Sequence, residues 1–424
     1  MKFEGDAMNS VEICGGTVRE RTAEEALDRL KPLLPEFGIT RIADVTGLDT
    51  IGIPVMTVVR PLARSLSVSQ GKGVTKELAI VSGIMESIEV FHAERPRPGS
   101  TTCSVSECIR NPAFVSPYSL SIRADTNLSG DTAIAWVEGE NLFAGAQKRI
   151  PSELFDLDFA RRETVPFFLA SSNGLASGNT RTEAIVHGLC EVIERDQTSF
   201  WLVERDWLDL RMDRRVSIDS IDDAVCRSLI ERCLSAGLEI FVWHISINID
   251  IPVFACTIAD RHKKTLFPQH ATGHGCHPIA AIALARAITE AAQSRLTHIS
   301  GLREDLTWAR YRDEFLCESS KSKDALEKMS QQRPAVDFRK LRSASEQGST
   351  SMPSLLEGIL ERLRRVDLEN AIVVDLAGNE IFSVVFVVVP GLEYLTTKAA
   401  SLYTPGSRMR DFILQHKVHR SSEA

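Results

Sequence analysis

Ser82-Gly83-Ile84-Met85-Glu86-Ser87-Ile88-Glu89, His187-Gly188-Leu189-Cys190-Glu191-Val192-Ile193-Glu194 and Arg286-Ala287-Ile288-Thr289-Glu290-Ala291-Ala292-Gln293 share one spacing of polar residues. Each begins with a polar side chain, places a second four residues on, and a third three further. At about 100° per residue, each trio stays within an arc of roughly 60° on a helix. The pattern predicts helices over about 75–92, 182–203 and 278–300, and Glu183 extends the second stripe by another turn. Ahead of each helix lies a glycine-containing stretch read as a turn: Gly71-Lys72-Gly73, residues 173–179, and Gly273-His274-Gly275.

The side chains around the stripes are almost all apolar, for example Ile84, Ile88, Leu189, Val192, Ile288 and Ala291. A helix apolar nearly all round is expected to be buried. An ionised carboxylate buried without a partner loses its solvation at high cost, so Glu86, Glu89, Glu191, Glu194 and Glu290 require cations. A hard divalent metal carrying phosphates would supply them, since Mg²⁺ prefers oxygen ligands. Two plainer readings stand beside this one: three solvated surface stripes, and a structural ion-pair network with Arg195, Arg286 and Arg295 as partners.

Working outward, Thr22-Ala23-Glu24-Glu25 has the form of a capping box and opens a helix carrying Leu27, Leu30 and Leu34. Strands are expected at 40–45, 54–60, 65–69, within 133–155, at 238–248, 252–260 and 382–389, with a helix and strand over 355–374. Neighbouring strands read as antiparallel. The fold class is α+β, with internally repeated strand–turn–helix units and mostly antiparallel sheets. The expected divisions are 1–60, an N-terminal helix and strands; 61–318, the core; 319–353, a polar flexible insertion; and 354–424, a C-terminal helix and strand segment completing the domain.

The chain has 49 Lys and Arg against 57 Asp and Glu, net −8, which disfavours general nucleic-acid binding. Its apolar runs are far too short to span a bilayer, and no secretory signal is expected at Met1 to Ser10. Nine scattered cysteines, an odd number, fit reduced thiols and a cytoplasmic location better than a disulfide framework. Gly71-Lys72 is not the end of a phosphate-binding P-loop, because Leu66 and Gly73 stand where that motif needs Gly and Ser or Thr.

The runs Ser67-Val68-Ser69-Gln70-Gly71-Lys72-Gly73, Ser82 to Glu89, Glu183 to Asp196, Arg286 to Gln293 and Val389-Pro390-Gly391-Leu392-Glu393 resemble the YcaO superfamily of ATP-dependent peptide backbone-modifying enzymes. The stretch Ala63 to Gly73 looks most like the subgroup that works with a TfuA partner protein. The resemblance implies ATP and Mg²⁺ as cofactors. It implies metal ligands at Glu86, Glu89, Glu191, Glu194 and Glu290, and nucleotide contacts at Arg19, Ser82, Glu183, His187, Arg195, Arg286 and Gln293. No catalytic residue beyond these is assigned. It further implies a homodimer, a peptide or protein substrate and a TfuA-like partner.

The leading activity is phosphorylation of a backbone amide for thioamide formation. The alternative is azoline-forming cyclodehydration of ribosomally made peptides, whose enzymes often end in a proline-rich tail; residues 416–424 lack one. A non-catalytic peptide- or partner-binding scaffold is the reading from another class, and the retained five glutamates speak against it. His274-Gly275-Cys276-His277 holds three soft ligands but has no second pair at zinc spacing, so a turn at the mouth of the ATP site is the preferred reading.

Overall fold

Thr22 opens the first helix as its sequence requires: its hydroxyl accepts the Glu25 N–H at 3.2 Å, and the Glu25 carboxylate accepts the Thr22 N–H at 3.1 Å. The structure is a computed structural model that describes residues 12–14, 16–95, 100–160, 165–208, 214–261, 269–309, 320–345, 351–395 and 400–422. Met1 to Ser10, where no secretory signal was expected, lie outside them.

In chain order, the hairpin β1 (Glu12–Cys14) and β2 (Thr17–Arg19) precedes α1 (Ala23–Leu30). Strands β3 (Arg41–Asp44), β4 (Val55–Val59) and β5 (Val68–Lys72) lead into α2 (Lys76–Ala93). Next come β6 (Thr101–Ser104), the short α3 (Val105–Ile109), β7 (Ala133–Asn141), β8 (Ala146–Pro151) and β9 (Leu175–Gly178). Helix α4 (Arg181–Leu202) is capped by Thr180, whose hydroxyl accepts the Glu183 N–H. Then follow α5 (Ala224–Ser235), β10 (Glu239–His244), β11 (Val253–Ala259), β12 (His270–Cys276) and α6 (Ala280–Ser300). The remainder holds α7 (Ser320–Gln331), α8 (Phe338–Ser345), α9 (Met352–Arg364), β13 (Ile372–Gly378), β14 (Ser383–Val388) and α10 (Ser407–Ser422).

These elements form two compact units that interleave in sequence. The first takes Met1–Ile88, Met212–Ser246 and Ile251–Leu355. It contains two antiparallel three-stranded sheets, β3-β4-β5 and β10-β11-β12. Its core joins Phe254 and Ile258 of β11 to Leu229 of α5 and to Leu284 and Ile288 of α6. The second unit takes Glu89–Arg211, Ile247–Asp250 and Leu356–Ala424. Its antiparallel sheet runs β6-β7-β13-β14-β9, with β8 pairing β7 off this path. Buried Ile185 and Leu189 lie on α4, which packs on β9 and β14. This division differs from the serial boundaries at 60, 318 and 353, because each sheet and its covering helices collect segments distant in the chain.

Two of the glycine stretches, and the later part of the third, are corrected from turns to strands; Asn173 and Gly174 do form a turn, with Gly174 at φ +86°. Gly71 and Lys72 lie in β5, Gly178 ends β9, and Gly273 and Gly275 lie in β12. Their glycines serve close approach: a Cβ on Gly71 would land on the Ala79 carbonyl and the Gly83 backbone of α2, and one on Gly275 on the Ala283 carbonyl of α6.

Two further expectations change. The segment 319–353 contains α7 and α8, and Phe338 is fully buried in the first unit's core. Trp243 Nε1 donates to Gln332 Oε1 at 2.7 Å, and Arg215 Nη1 donates to the Met329 and Gln332 carbonyls at 2.7 Å. Its sparse apolar residues were too few to reveal a pattern, yet Leu326 and Phe338 are buried; residues 346–350 lie outside the description. Cys103 and Cys108 form a disulfide, against the expectation of reduced thiols throughout. Cys190, Cys226, Cys233, Cys256 and Cys276 are buried and lie outside the disulfide. No helix among the described residues is long and apolar enough to cross a membrane.

Candidate functional site

The first unit assembles one polar set from the end of β5, the first part of α2, and α6. Lys72 Nζ lies 2.7 Å from Glu290 Oε2, and the other Glu290 oxygen accepts the His274 N–H at 3.3 Å. Glu86 stands near both. Burial pushes its carboxyl above the usual range, the Arg303 and Lys72 charges and a Gln70 backbone hydrogen bond pull it down, and the Glu290 charge raises it again. Gln293 Nε2 donates to the Gln70 carbonyl at 2.6 Å, joining α6 to β5. Ser82 Oγ accepts a long hydrogen bond, 3.5 Å, from the Lys72 N–H. Arg286 Nη1 donates to the Cys276 carbonyl at 3.2 Å. His277 is held neutral well below its ordinary pKa by burial and then by the charges of Arg286 and Arg19. Arg19 and Arg286 therefore share one neighbourhood.

The second unit holds the other predicted residues, most of them on α4. Glu183 is buried, and both its carboxylate oxygens accept from Asn179 Nδ2, at 3.1 and 3.0 Å. His187, Glu191 and Glu194 follow at helical spacing. Arg195 Nη1 lies 3.4 Å from Glu194 and its Nη2 4.0 Å from Glu191. Glu89, in the last part of α2, accepts from Ser177 Oγ at 2.5 Å.

The ion-pair reading is realised for Arg195, but Arg295 is engaged elsewhere: it is fully buried and donates to both Asp49 oxygens, at 2.9 and 3.1 Å. Sequence reasoning missed three participants. Lys72 stands in the quoted YcaO-like run but carries no assigned role, and Arg303 lies outside the stripes. Asp196 follows Arg195 on α4 and is fully buried. It accepts from Arg408 Nη1 and from the Glu393 N–H, both at 2.8 Å. The signal for it was an acid directly after the apolar helix stripe, matched by Glu393 in the quoted motif.

Among the described residues, no three His, Cys, Asp or Glu side chains gather as a ready metal cage. The zinc reading of residues 274–277 gains nothing from the structure. The carboxylates instead stand as neighbours in twos, Glu86 with Glu290 and Glu191 with Glu194. Mg²⁺ commonly takes one or two carboxylates and completes its shell with water and substrate phosphates. In the first unit, Glu86 and Glu290 form an oxygen-only pair with Arg286 one turn before Glu290 on α6, and such a pair fits a metal–polyphosphate better than a bare ion. When bound, Mg²⁺ with ATP supplies an activated phosphoryl group; the arginines would take phosphate charge and the glutamates the metal.

The chain is a member of the YcaO family: residues 70–393 match the family model described as YcaO cyclodehydratase, ATP- and Mg²⁺-binding. ATP and Mg²⁺ are its cofactors. A protein of the tfuA 3′ region of Rhizobium leguminosarum bv. trifolii is 34% identical over 381 residues, 88% of each chain. Among solved structures, YcaO from Methanopyrus kandleri bound with AMPPCP and Mg²⁺ superposes with a TM-score of 0.71 at 20% identity, covering 95% of this chain and 99% of that one. A heterocyclase in complex with substrate and cofactor gives 0.73 at 19% identity over 89% of this chain, which spans 53% of the heterocyclase. At these identities the two structures show the shared fold.

Proposed function

We propose that sulfide delivered by a TfuA-like partner adds to a backbone amide of a peptide or protein, and that the enzyme phosphorylates the amide oxygen with ATP so that sulfur replaces it. A peptide carbonyl oxygen is a poor leaving group. Addition of hydrosulfide to the amide carbon places the negative charge on oxygen, which takes the γ-phosphoryl group. Phosphate departs with that oxygen and with the hydrosulfide proton, leaving a thioamide and ADP. Such transfer needs mainly positioning and charge neutralisation. Glu86, Glu89, Glu191, Glu194 and Glu290 are assigned to Mg²⁺. Arg19, Ser82, Glu183, His187, Arg195, Arg286 and Gln293 are assigned to the nucleotide. A cytoplasmic homodimer goes with this reading.

The observation that carries the thioamide reading is the likeness to the tfuA-region protein over most of both chains. The test is mass spectrometry of candidate peptides incubated with enzyme, Mg-ATP and sulfide, with and without the partner. Oxygen-for-sulfur exchange that requires the partner is the expected result. A second reading, azoline formation, is favoured by the family description as a cyclodehydratase. Loss of water at Cys, Ser or Thr, independent of sulfide, would replace the first reading with the second. Independently, Mg-ATP should raise the melting temperature and Mg²⁺ or ATP alone should do so less; no shift with the pair would point to a scaffold without nucleotide chemistry.

A further inference from the structure

We infer that Lys72 is a resident counter-ion that makes metal binding depend on nucleotide. This rests on the assignment of Glu86 and Glu290 to the metal. The ammonium of Lys72 sits 2.7 Å from Glu290 Oε2, on a carboxylate that the metal must use. The same charge acts on Glu86, whose other cation, Arg303, is already shared with Asp305 through bonds of 2.9 Å. Lys72 is held in place from behind: it is the last residue of β5, next to Gly71, where strand and helix backbones touch.

A bare divalent ion entering this set must drive the ammonium from Glu290 and leave it uncompensated beside an incoming double positive charge. That repulsion weakens the metal alone. A polyphosphate arriving with the metal reverses the balance, because it offers anionic oxygens to the displaced ammonium. Metal and nucleotide thereby favour one another, and by linkage each raises the affinity of the other by the same factor. Lys72 thus selects the metal–nucleotide pair over free metal, a role distinct from that of a metal ligand.

The experiment measures Mn²⁺ binding to the full chain by electron paramagnetic resonance, with and without a non-hydrolysable ATP analogue. The wild type should bind Mn²⁺ alone weakly and tighten on adding the analogue. Lys72→Met should bind Mn²⁺ alone about 10-fold tighter and lose most of the analogue's enhancement, a coupling of ordinary size. Lys72→Arg, which keeps the charge, should retain the wild-type ratio. Without ligand, Lys72→Met should melt lower than wild type and be raised more by Mg²⁺ alone. An unchanged or weakened affinity for Mn²⁺ alone in Lys72→Met overturns the inference. Lys72→Gln is measured beside it, and failure of both chains to fold even with Mg²⁺ also overturns it, since the metal should supply the missing charge. Glu290→Gln separates the two levels: if it leaves Mn²⁺ affinity in the presence of the analogue intact, the ligand assignment itself is wrong. If it loses the metal while Lys72→Met behaves as wild type, only the role of Lys72 falls.

Discussion

At the scale of residues, Gly71 shows how a single missing side chain sets the geometry of a polar set. The α2 backbone rests where a Cβ would project, and this brings Lys72 and Ser82 within reach of each other. Gly71→Ala should therefore cost about 3 kcal/mol, at the upper end of overpacking penalties, because backbone rather than a flexible side chain must yield. Chemical denaturation would measure it, and a loss within experimental error would mean that the strand and helix can part cheaply. The glycines were visible in the sequence, but they were read as turns, since clustered glycine is usually a turn signal. What the sequence could not show was that helix backbone, from another part of the chain, fills the space. The stripe glutamates were legible because 3.6-residue periodicity puts them on one face. Lys72 was not, because it ends a strand and its partner Glu290 lies far away in sequence, on α6.

At the scale of elements, α4 and the segment after β14 form a buried polar joint within the second unit. Glu393 accepts from the Tyr403 hydroxyl at 2.5 Å and from the Gly406 N–H at 3.1 Å, while Ser199 Oγ accepts the Leu395 N–H at 2.8 Å. Burial raises the Glu393 carboxyl above the ordinary glutamate range, against the hydrogen bonds from Tyr403 and Gly406, and the Asp196 charge adds to the rise. A raised pKa in the folded state means that the fold binds this proton more tightly than the unfolded chain does. The stability it contributes is complete below the ordinary glutamate pKa and is lost as pH rises through the raised value. Melting temperature should accordingly fall with pH across that window in the wild type and fall less in Glu393→Gln; equal slopes would remove Glu393 as the source. The elements of 319–353 carry a second expectation. Phe338→Ala should cost about 3–5 kcal/mol, as for a fully buried aromatic side chain. A loss below about 1 kcal/mol would restore the view of this segment as a loose insertion. It was misread because helix detection relies on a repeated apolar face, and here isolated side chains do the anchoring.

At the scale of the whole molecule, the strand–helix repetition was readable, whereas its division into two units was not. Local patterns report on neighbours in sequence, and each unit is made of three separate stretches. The sheet order β6-β7-β13-β14-β9 carries the point further. Removing everything after Arg364 should leave the second unit without its central strands, so that the truncated chain is insoluble or lacks cooperative melting. A soluble, cooperatively melting fragment would contradict that dependence. The same order has a bearing on birth at the ribosome. β7 and β9 emerge early, yet the hairpin of β13 and β14 that stands between them is among the last segments translated. Until it arrives, both strands present unsatisfied edges, an invitation to pairing with strangers. A nascent chain of this protein therefore has every reason to be met by a chaperone before it meets its nucleotide.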